Sequence, residues 1–473
     1  MRKGDLISNL LVETMAAEGK CVSRVDGKVI FLEGGAPGDI VEAQVYKIKS
    51  SYLEGKVTRI LEYSPNRTQP FCIHFGICGG CSWQHIQYET QLIYKQKQVV
   101  DNLERIGGLQ LPYISPIIPS AKTRYYRNKL DYTFSAQRWL TREEMHSEDG
   151  VGQGETALGY HIPRKYDLIF DVKECWLQPD PSNAIRLAAK DEAMREGIPF
   201  FDLRKQIGFL RTLTIRTANT GEVMVILQVT YDEMPWIEKI LSRLGRDFPQ
   251  ITSFQYVING KKNDTFADLD IKTWKGNPYI TEEMPRPDGA GVLRFRVGPK
   301  SFYQTNSDQA FELYKVAWQM AGLRGDELVY DLYTGTGTIA NFVAGSARHV
   351  VGLEYVADAI EDAKKNSALN GITNTDFFAG DIKDLLNETF LGVHGHPDTV
   401  ITDPPRAGMH ESVTRMLLQA APEKIVYVSC NPATQARDLA ILDSAYEITA
   451  IQPVDMFPHT THVENVVALK KRP

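Results

Sequence analysis

The chain has 473 residues, 43% of them hydrophobic and 24% charged, the composition of a folded globular protein of about three domains rather than of a disordered, collagen-like or coiled-coil chain. No run approaches the roughly 18 uninterrupted apolar residues of a membrane span. The Leu-rich N-terminus is broken by Asp5 and Glu13, so a cytoplasmic protein without a signal peptide is expected. The formal charge of -6 argues on its face against a nucleic-acid partner. It hides an asymmetry: residues 300–473 hold 14 Lys/Arg against 22 Asp/Glu, while the first 299 hold 39 against 37. An RNA would therefore be gripped by the N-terminal two thirds. Six cysteines are too few to staple a chain of this size, and their clustering points to metal binding or catalysis.

In chain order, residues 1–65 carry short Val-, Ile- and aromatic-rich runs (Lys28–Leu32, Asp39–Lys47) punctuated by Gly27, Gly34, Gly35, Gly38 and Gly55, the pattern of a small β-barrel. Cysteines follow, then His85–Ile106, whose apolar residues at 86, 92, 93, 99, 100, 103 and 106 and whose Gly107-Gly108 stop predict an amphipathic helix. That helix is expected to belong to a middle α+β domain, 66–295, or to pack on the next one. Strand-like runs at Leu213–Arg216, Val223–Val229 and Phe254–Val257 support the α+β class. From 296 to 473 the sequence alternates strand, Gly-rich loop and helix: Glu327–Leu332, Val350–Glu354, Asp398–Asp403 and Lys424–Ser429 predict a mostly parallel, doubly wound, Rossmann-like sheet. The fold class is thus multidomain α/β.

The segment Asp331-Leu-Tyr-Thr-Gly-Thr-Gly-Thr338 joins a strand to a helix, and Glu354 closes the following strand 23 residues on. Glycines at 335 and 337 allow a tight turn against a ligand, and a carboxylate at 354 can accept from both hydroxyls of a ribose. The loop has neither the Gly-x-Gly-x-x-Gly of dinucleotide enzymes nor the Gly-Lys-Thr of P-loops, so an adenosine cofactor without a pyrophosphate, S-adenosylmethionine, fits best. Two later strand ends share that crevice. In Asp403-Pro-Pro-Arg406 the fourth residue is not the aromatic that would stack on an exocyclic amine, which argues against an amine target. In Ser429-Cys-Asn-Pro432 a lone cysteine emerges where catalytic side chains appear, and Phe457-Pro-His-Thr-Thr-His-Val-Glu464 supplies an acid. Uracil C5 is a poor nucleophile until a soft thiolate adds to C6, and a carboxylate must afterwards remove the C5 proton. Cys430 and Glu464 match those two roles. A metal triad of His459, His462 and Glu464 is the alternative, although sulfonium methyl transfer needs no metal.

Cys72-x5-Cys78-Gly-Gly-Cys81, with Cys175 further on, provides four thiolates for zinc or a [4Fe-4S] cluster, between which spacing does not decide. Cys21 is left over. In Lys122-Thr-Arg-Tyr-Tyr-Arg-Asn-Lys129 cations alternate with rings, which reads equally as a solvated edge strand or as an RNA surface.

Taken together, these motifs resemble the S-adenosylmethionine-dependent RNA uracil-5-methyltransferases, especially the bacterial 23S ribosomal RNA enzymes of the RumA type, over nearly the whole chain. The motifs are the barrel, the cysteine cluster, Ser301-Phe-Tyr-Gln-Thr-Asn306, the Asp331 loop, Asp403-Pro-Pro-Arg-Ala-Gly408, Ser429-Cys-Asn-Pro432 and Pro458-His-Thr-Thr-His-Val-Glu464. Thr334 and Thr338 are small departures from the family pattern. The resemblance implies an N-terminal OB-like TRAM barrel, Cys430 as nucleophile and Glu464 as base. It implies Gln304, Tyr333, Glu354, Asp381 and Asp403 as cofactor contacts, a [4Fe-4S] cluster on Cys72, Cys78, Cys81 and Cys175, and RNA contact by Lys122, Arg124, Tyr126, Arg127 and Lys129. The expected substrate is a flipped uridine in a single-stranded loop of 23S ribosomal RNA, acted on by a monomer; a transfer RNA is the alternative. Radical S-adenosylmethionine methylthiotransferases also combine TRAM with iron-sulfur, but their Cys-x3-Cys-x2-Cys and C-terminal TRAM are absent from this sequence. A non-catalytic RNA-binding protein would not need Cys430 and Glu464.

Overall fold

The computed structural model describes residues 1–16, 19–145, 155–163 and 165–473, the side chains of Arg142 and Glu143 excepted; residues 146–154 and 164 of the expected middle domain lie outside them. Strands β1 (Leu6–Leu11), β2 (Thr14–Met15), β3 (Cys21–Val25), β4 (Lys28–Glu33), β5 (Ile40–Ile48) and β6 (Tyr52–Glu62) form one sheet in the order β1-β5-β6-β4-β3-β2. Alternation along β4 and β5 turns Ile30, Leu32, Val41, Ala43 and Val45 into a common core, and Cys21 joins it as a small buried residue. Gly55 faces the carbonyl of Gln44, Ile30 and Leu32 so closely that a Cβ would lie 3.1 Å from that oxygen.

Residues 68–85 form neither helix nor strand. Helix α1 (Tyr88–Arg105) follows, three residues later than His85 because Trp83 and Ile86 are spent on a buried cluster with Met15 and Ala36 of the barrel. Its buried stripe is unusual in being polar at first, Thr90, Gln91 and Lys95, before Val99 and Leu103. The latter two enter the same core as Ile425, Leu439 and Ile451 of the C-terminal sheet, so the helix packs on that body.

The second sheet orders β13 (Ile271–Gly276), β12 (Ile251–Ile258), β11 (Val223–Val229), β10 (Leu210–Thr217), β7 (Lys129–Ser135), β8 (Ala157–Ile162) and β9 (Lys165–Asp171). Besides the short α2 (Arg142–Met145), it carries α3 (Ser182–Arg195) and α4 (Met234–Asp247), whose Ile185, Ala189, Ile237 and Leu241 share a core with Leu213, Ile215 and Val225. This is the expected α+β arrangement.

A hairpin, β14 (Ile280–Pro285) and β15 (Val292–Val297), comes next. The boundary expected at 295/296 falls inside β15 and is corrected here: Ile280, Met284, Leu293 and Phe295 pack with Ala310, Leu313 and Val329. The Arg294 and Arg296 amides donate to Asn370 and Asn366 at 2.8 Å. The hairpin also bonds to the turn between β10 and β11, Asn219 donating to the Glu283 carbonyl and Thr220 to that of Thr281, so it bridges the middle sheet and the C-terminal body. That body adds α5 (Ser307–Ala321), β16 (Leu328–Leu332), α6 (Thr338–Val343), β17 (His349–Glu354), α7 (Ala357–Leu369), β18 (Thr375–Ala379), α8 (Ile382–Leu385), α9 (Glu388–His394), β19 (Thr399–Thr402), α10 (Glu411–Ala420), β20 (Lys424–Ser429), α11 (Pro432–Leu442), β21 (Tyr446–Val454) and β22 (Glu464–Lys471). The sheet runs β18-β17-β16-β19-β20-β22-β21. The first five strands are mutually parallel, and β22 runs antiparallel between β20 and β21. Strand order reverses between β16 and β19, so the crevice beyond their carboxyl ends is where such a sheet binds its ligand. No helix among the described residues is long and apolar enough to cross a membrane.

Candidate active site

The loop after β16 is held open by specific bonds. Asp331, wholly buried, accepts from the Thr334 hydroxyl at 2.5 Å and the Ala340 amide at 3.0 Å through Oδ2, which fixes the turn onto α6. Tyr333 takes φ +63° and Gly337 +76°; a Cβ at 337 would lie 2.9 Å from that of Ala363, whereas Gly335 has open space around it, room for a ligand to approach the backbone. Glu354 sits under this loop, accepting from the Gly335 amide at 3.2 Å and the Val356 amide at 3.0 Å. Asp403 follows β19 with its amide on Leu332, and Gln304 lies at the hydroxyl of buried Tyr314. The same hydroxyl feels Asp403, Asp331 and Glu464, so these side chains lie near one another. Asp381 caps α8 and pairs with Lys383 at 2.5 Å, and it and Glu354 both act on Tyr333.

Burial pushes Asp403 up to about 7. It also raises Asp331 to about 7 against its two hydrogen bonds, with Asp403 and Glu354 adding to the rise. Asp331 Oδ1 has no protein partner. A cleft of carboxylates short of positive charge fits a cationic ligand, and S-adenosylmethionine carries both a sulfonium and an ammonium.

On the far side, Ser429 of β20 pairs with Asn465 of β22 and Val454 of β21 with Glu464, so Cys430, one step beyond Ser429, falls opposite Glu464. Cys430 is partly exposed to the cleft and precedes the N-cap Asn431 of α11, where the helix dipole favours a thiolate. In the ligand-free site burial pushes the thiol up to about 12, with Glu464 and Asp403 adding to the rise and Arg406 opposing it. Burial, then Asp403, raises Glu464 well above the ordinary carboxylate range, while Arg406 again opposes the rise.

Arg406, read from sequence only as a missing aromatic, is thus the cation that acts on both nucleophile and acid. Its carbonyl accepts from Asn431 Nδ2 at 3.0 Å, and its guanidinium lies 3.1 Å from His462 Nδ1. His459 Nδ1 instead meets Gln91 Nε2 at 3.1 Å. The two imidazoles serve different partners, and among the described residues no group of three or more His, Cys, Asp or Glu is arranged to hold a metal ion, which removes the His459–His462–Glu464 triad. Phe302, two residues before Gln304, is 65% exposed, with its carbonyl 3.4 Å from the Thr336 hydroxyl. Its exposure carried no signal in the sequence.

Cys72, Cys78, Cys81 and Cys175 line one cavity with His74, Tyr160 and Trp176. The Cys175 amide donates to Asn183 Oδ1 at 2.8 Å, and the Cys72 amide to Gln84 Oε1 at 3.2 Å. Burial raises Cys81 to about 12, with Cys78, Cys175 and Cys72 each contributing to the rise; burial also raises Cys72, with Cys175 and Glu174 adding, and Cys78, with Cys72 and Cys175 adding. Among the described residues these four, like the His459–His462–Glu464 set, are not arranged to hold a metal ion; what they share is one cavity and the soft donors that a larger thiolate-ligated centre uses.

The expected RNA surface is only partly assembled. Lys122 is exposed and 2.6 Å from Asp308, Arg124 stacks on Phe71 at 4.0 Å, Arg127 lies 5.3 Å over Phe457, and Lys129 pairs with Asp131 at 2.7 Å. Tyr126 is a correction: it is 5% exposed and its hydroxyl donates to the Pro458 carbonyl at 3.0 Å, so its ring has no face left for a base. Tyr125, at φ +54° and 38% exposed, is the ring turned outward.

Comparison with known proteins accords with this geometry. Residues 271–472 match the family model for tRNA (uracil-5-)-methyltransferase, and residues 8–58 that for the TRAM domain. A protein of Bacteroides thetaiotaomicron is 55% identical over 97% of this chain and 100% of its own, and one of Porphyromonas gingivalis 54% identical over 97% and 98%; both are named as uncharacterized RNA methyltransferases. The solved Pyrococcus abyssi tRNA (uracil-54, C5)-methyltransferase, in complex with S-adenosyl-L-homocysteine, superposes with a TM-score of 0.72 at 29% identity, over 97% of this chain and 99% of its own. With full-length relatives at this identity, the chain belongs to the S-adenosylmethionine-dependent RNA uracil-5-methyltransferase family and carries an N-terminal TRAM domain.

Proposed function

We propose that the protein methylates C5 of one uridine in 23S ribosomal RNA through a covalent intermediate on Cys430. The observation that carries this reading is the register that sets Cys430 opposite Glu464 in a cleft shared with Asp331 and Asp403. The Cys430 thiol loses its proton to solvent, its sulfur adds to C6 of the uracil, the C5–C6 double bond opens, and electron density moves to C5 and O4. C5 then takes the methyl group from the sulfonium, which becomes a neutral thioether. Glu464 removes the C5 proton, the double bond re-forms, and the sulfur leaves C6 as thiolate. Arg406 offsets the charge that accumulates on Cys430 and Glu464. Glu354 holds the ribose, Gln304, Tyr333 and Asp403 the rest of the cofactor, and Asp381 the adenine. Phe302 offers a ring on which the flipped uracil stacks, while Lys122, Arg124, Arg127 and Lys129 meet the RNA around it.

Cys72, Cys78, Cys81 and Cys175 are proposed to hold a [4Fe-4S] cluster, a reading supported by their shared cavity and mutual repulsion. Functionally, the barrel (1–65) grips RNA, the middle region supplies the cluster and further RNA contacts, and the C-terminal body, from the hairpin at 280 onward, carries out the transfer.

The test is to incubate the enzyme with labelled S-adenosylmethionine and, separately, 23S ribosomal RNA and transfer RNA, then map the product nucleotide. Label in any nucleotide other than 5-methyluridine would overturn the reaction. Label in transfer RNA alone would favour the second reading, which the likeness to the Pyrococcus abyssi transfer RNA enzyme supports.

A further inference from the structure

The nine residues between β21 and β22, 455–463, deliver Glu464 to the cleft. At their centre His459 holds φ +63°, a strained conformation for a residue with a side chain, which persists only where neighbours impose it. Those neighbours come from the cysteine-bearing segment and the helix behind it. The Ser82 and Trp83 amides, the first two after Cys81, both donate to the His459 carbonyl, at 2.8 and 3.0 Å. Gln91 of α1 grips the same residue twice: Oε1 accepts from the His459 amide at 2.9 Å, and Nε2 approaches its Nδ1 at 3.1 Å. One turn further, Lys95 and Asp455 meet at 2.6 Å with neither side chain exposed, and Lys95 also donates to the Phe457 carbonyl at 2.9 Å. The Tyr88 hydroxyl takes the other Asp455 oxygen at 2.8 Å.

This explains why the buried stripe of α1 begins polar. Breaking such a buried pair costs far more than a surface loop needs for its stability, so the polar face serves to define position. The weak link in the arrangement is the segment that supplies the two amide donors. Between 68 and 85 it has no helix or strand to hold it; its ties are the packing of Trp83 and Ile86, ring contacts of Phe71 with Trp176 and His459 and of His74 with Phe170, a few hydrogen bonds, and the cysteines themselves, Cys81 lying one residue from Ser82.

We infer that the four-cysteine centre anchors the catalytic-base loop, with Gln91, Lys95 and Asp455 as positioning residues: ligation at Cys81 fixes Ser82 and Trp83, they fix His459, and the loop then presents His462 and Glu464. The inference rests on the role proposed for Glu464, but its readout does not depend on methyl transfer. Hydrogen–deuterium exchange on the full-length, anaerobically purified chain reads the loop directly. In Cys78→Ser, exchange across 455–463 should rise about ten-fold or more, with peptides spanning 328–356 unchanged and S-adenosylmethionine affinity, by calorimetry, as in the parent. Gln91→Leu, with all four cysteines in place, should loosen the same loop and lower kcat at unchanged KM for the cofactor. Gln91→Glu, which keeps the acceptor for the His459 amide, should restore part of both. Unchanged exchange over 455–463 in Cys78→Ser would overturn the anchor, and unchanged exchange in Gln91→Leu the positioning role of Gln91; should Cys78→Ser fail to fold, the same exchange on the parent protein before and after metal removal by a chelator decides the anchor. An RNA product other than the proposed one would leave the exchange result standing, and a loop indifferent to both changes would leave attack by Cys430 standing.

Discussion

Binding of S-adenosylmethionine should release protons, and its affinity should fall steeply below pH 7. Asp403 and Asp331 are both raised to about 7 by burial, so each is about half protonated at neutral pH in the ligand-free site. A sulfonium or ammonium beside them is attracted only to the ionised form. At pH 6 about one carboxyl in eleven is ionised, which weakens binding about ten-fold, or roughly 1.4 kcal/mol, for each group the cation requires. Asp403 is itself a cause of the Asp331 rise, so the two lose their protons in steps and the combined loss at pH 6 lies between about ten-fold and a hundred-fold. Calorimetry at pH 6, 7 and 8, in two buffers of different ionisation enthalpy, counts the protons: one to two released at the acid end, fewer at pH 8. S-adenosylhomocysteine, without the sulfonium charge, should show a shallower slope, and Asp403→Asn should remove one proton from the count. Affinity constant from pH 6 to 8 with no proton release would refute the reasoning. The same shifts fix a sign for stability. An unfolded carboxyl ionises near pH 4 and these folded ones near 7, so between the two the native state binds more protons, and the site costs the ligand-free fold more as pH rises through that window. Cofactor should therefore raise the melting temperature more at pH 8 than at pH 6.

Glu354→Ala removes the charged acceptor under the Gly335 loop and should weaken cofactor binding by on the order of 2–5 kcal/mol; unchanged affinity by calorimetry removes Glu354 from the site. Cys430→Ala should form neither covalent RNA adduct nor product, whereas Glu464→Gln should accumulate a methylated adduct that survives denaturation, because the C5 proton has no acceptor. Substantial methylation by Cys430→Ala would exclude attack at C6. Protein purified without air should contain iron and sulfide and absorb broadly in the visible, and Cys81→Ser should bleach it; one zinc per chain instead would reject the cluster and leave methyl transfer untouched.

The cofactor end of the site was legible because its chemistry is local. Asp331, Gly335 and Gly337 lie within one turn, and Glu354 is reached by a single strand of β-β register. Cys430 was legible for the same reason, as a polarisable side chain at the end of an otherwise apolar strand. What escaped depends on contacts hundreds of residues apart: Lys95 and Asp455 are separated by 360 positions, and in sequence Lys95 reads as one more cation on an amphipathic helix. Tyr125 and Tyr126 differ by one position, and only the left-handed backbone at 125 decides which ring is buried. The hairpin at 280–297 has the same alternation whether it completes the middle sheet or covers α5 and α7, so periodicity left its allegiance open. Arg406 was visible as an absence of an aromatic, but its pairing with His462 required the fold.

The high resting value of Cys430 bears on when the nucleophile becomes active. Burial, with Glu464 and Asp403 adding to it, holds the thiol protonated, and the N-terminus of α11 and Arg406 do not overcome them. A sulfonium placed among Asp331, Asp403 and Glu464 cancels the repulsion that disfavours the thiolate, so cofactor binding should activate the cysteine before any RNA arrives. By Coulomb's law a unit positive charge about 7 Å from a second charge, through an effective dielectric near 20, is worth on the order of 2 kcal/mol, so a sulfonium bound at such a distance would raise the thiolate fraction by up to about thirty-fold. Alkylation of Cys430 by iodoacetamide, followed by mass spectrometry, measures this if S-adenosylmethionine is compared with S-adenosylhomocysteine, which blocks the cleft almost equally but lacks the charge. The charged cofactor should give the faster labelling, and the difference should shrink in Asp403→Asn because less repulsion is left to cancel. Equal rates with the two ligands would mean that the thiol is activated by the substrate uracil instead, and that the carboxylates serve the cofactor alone.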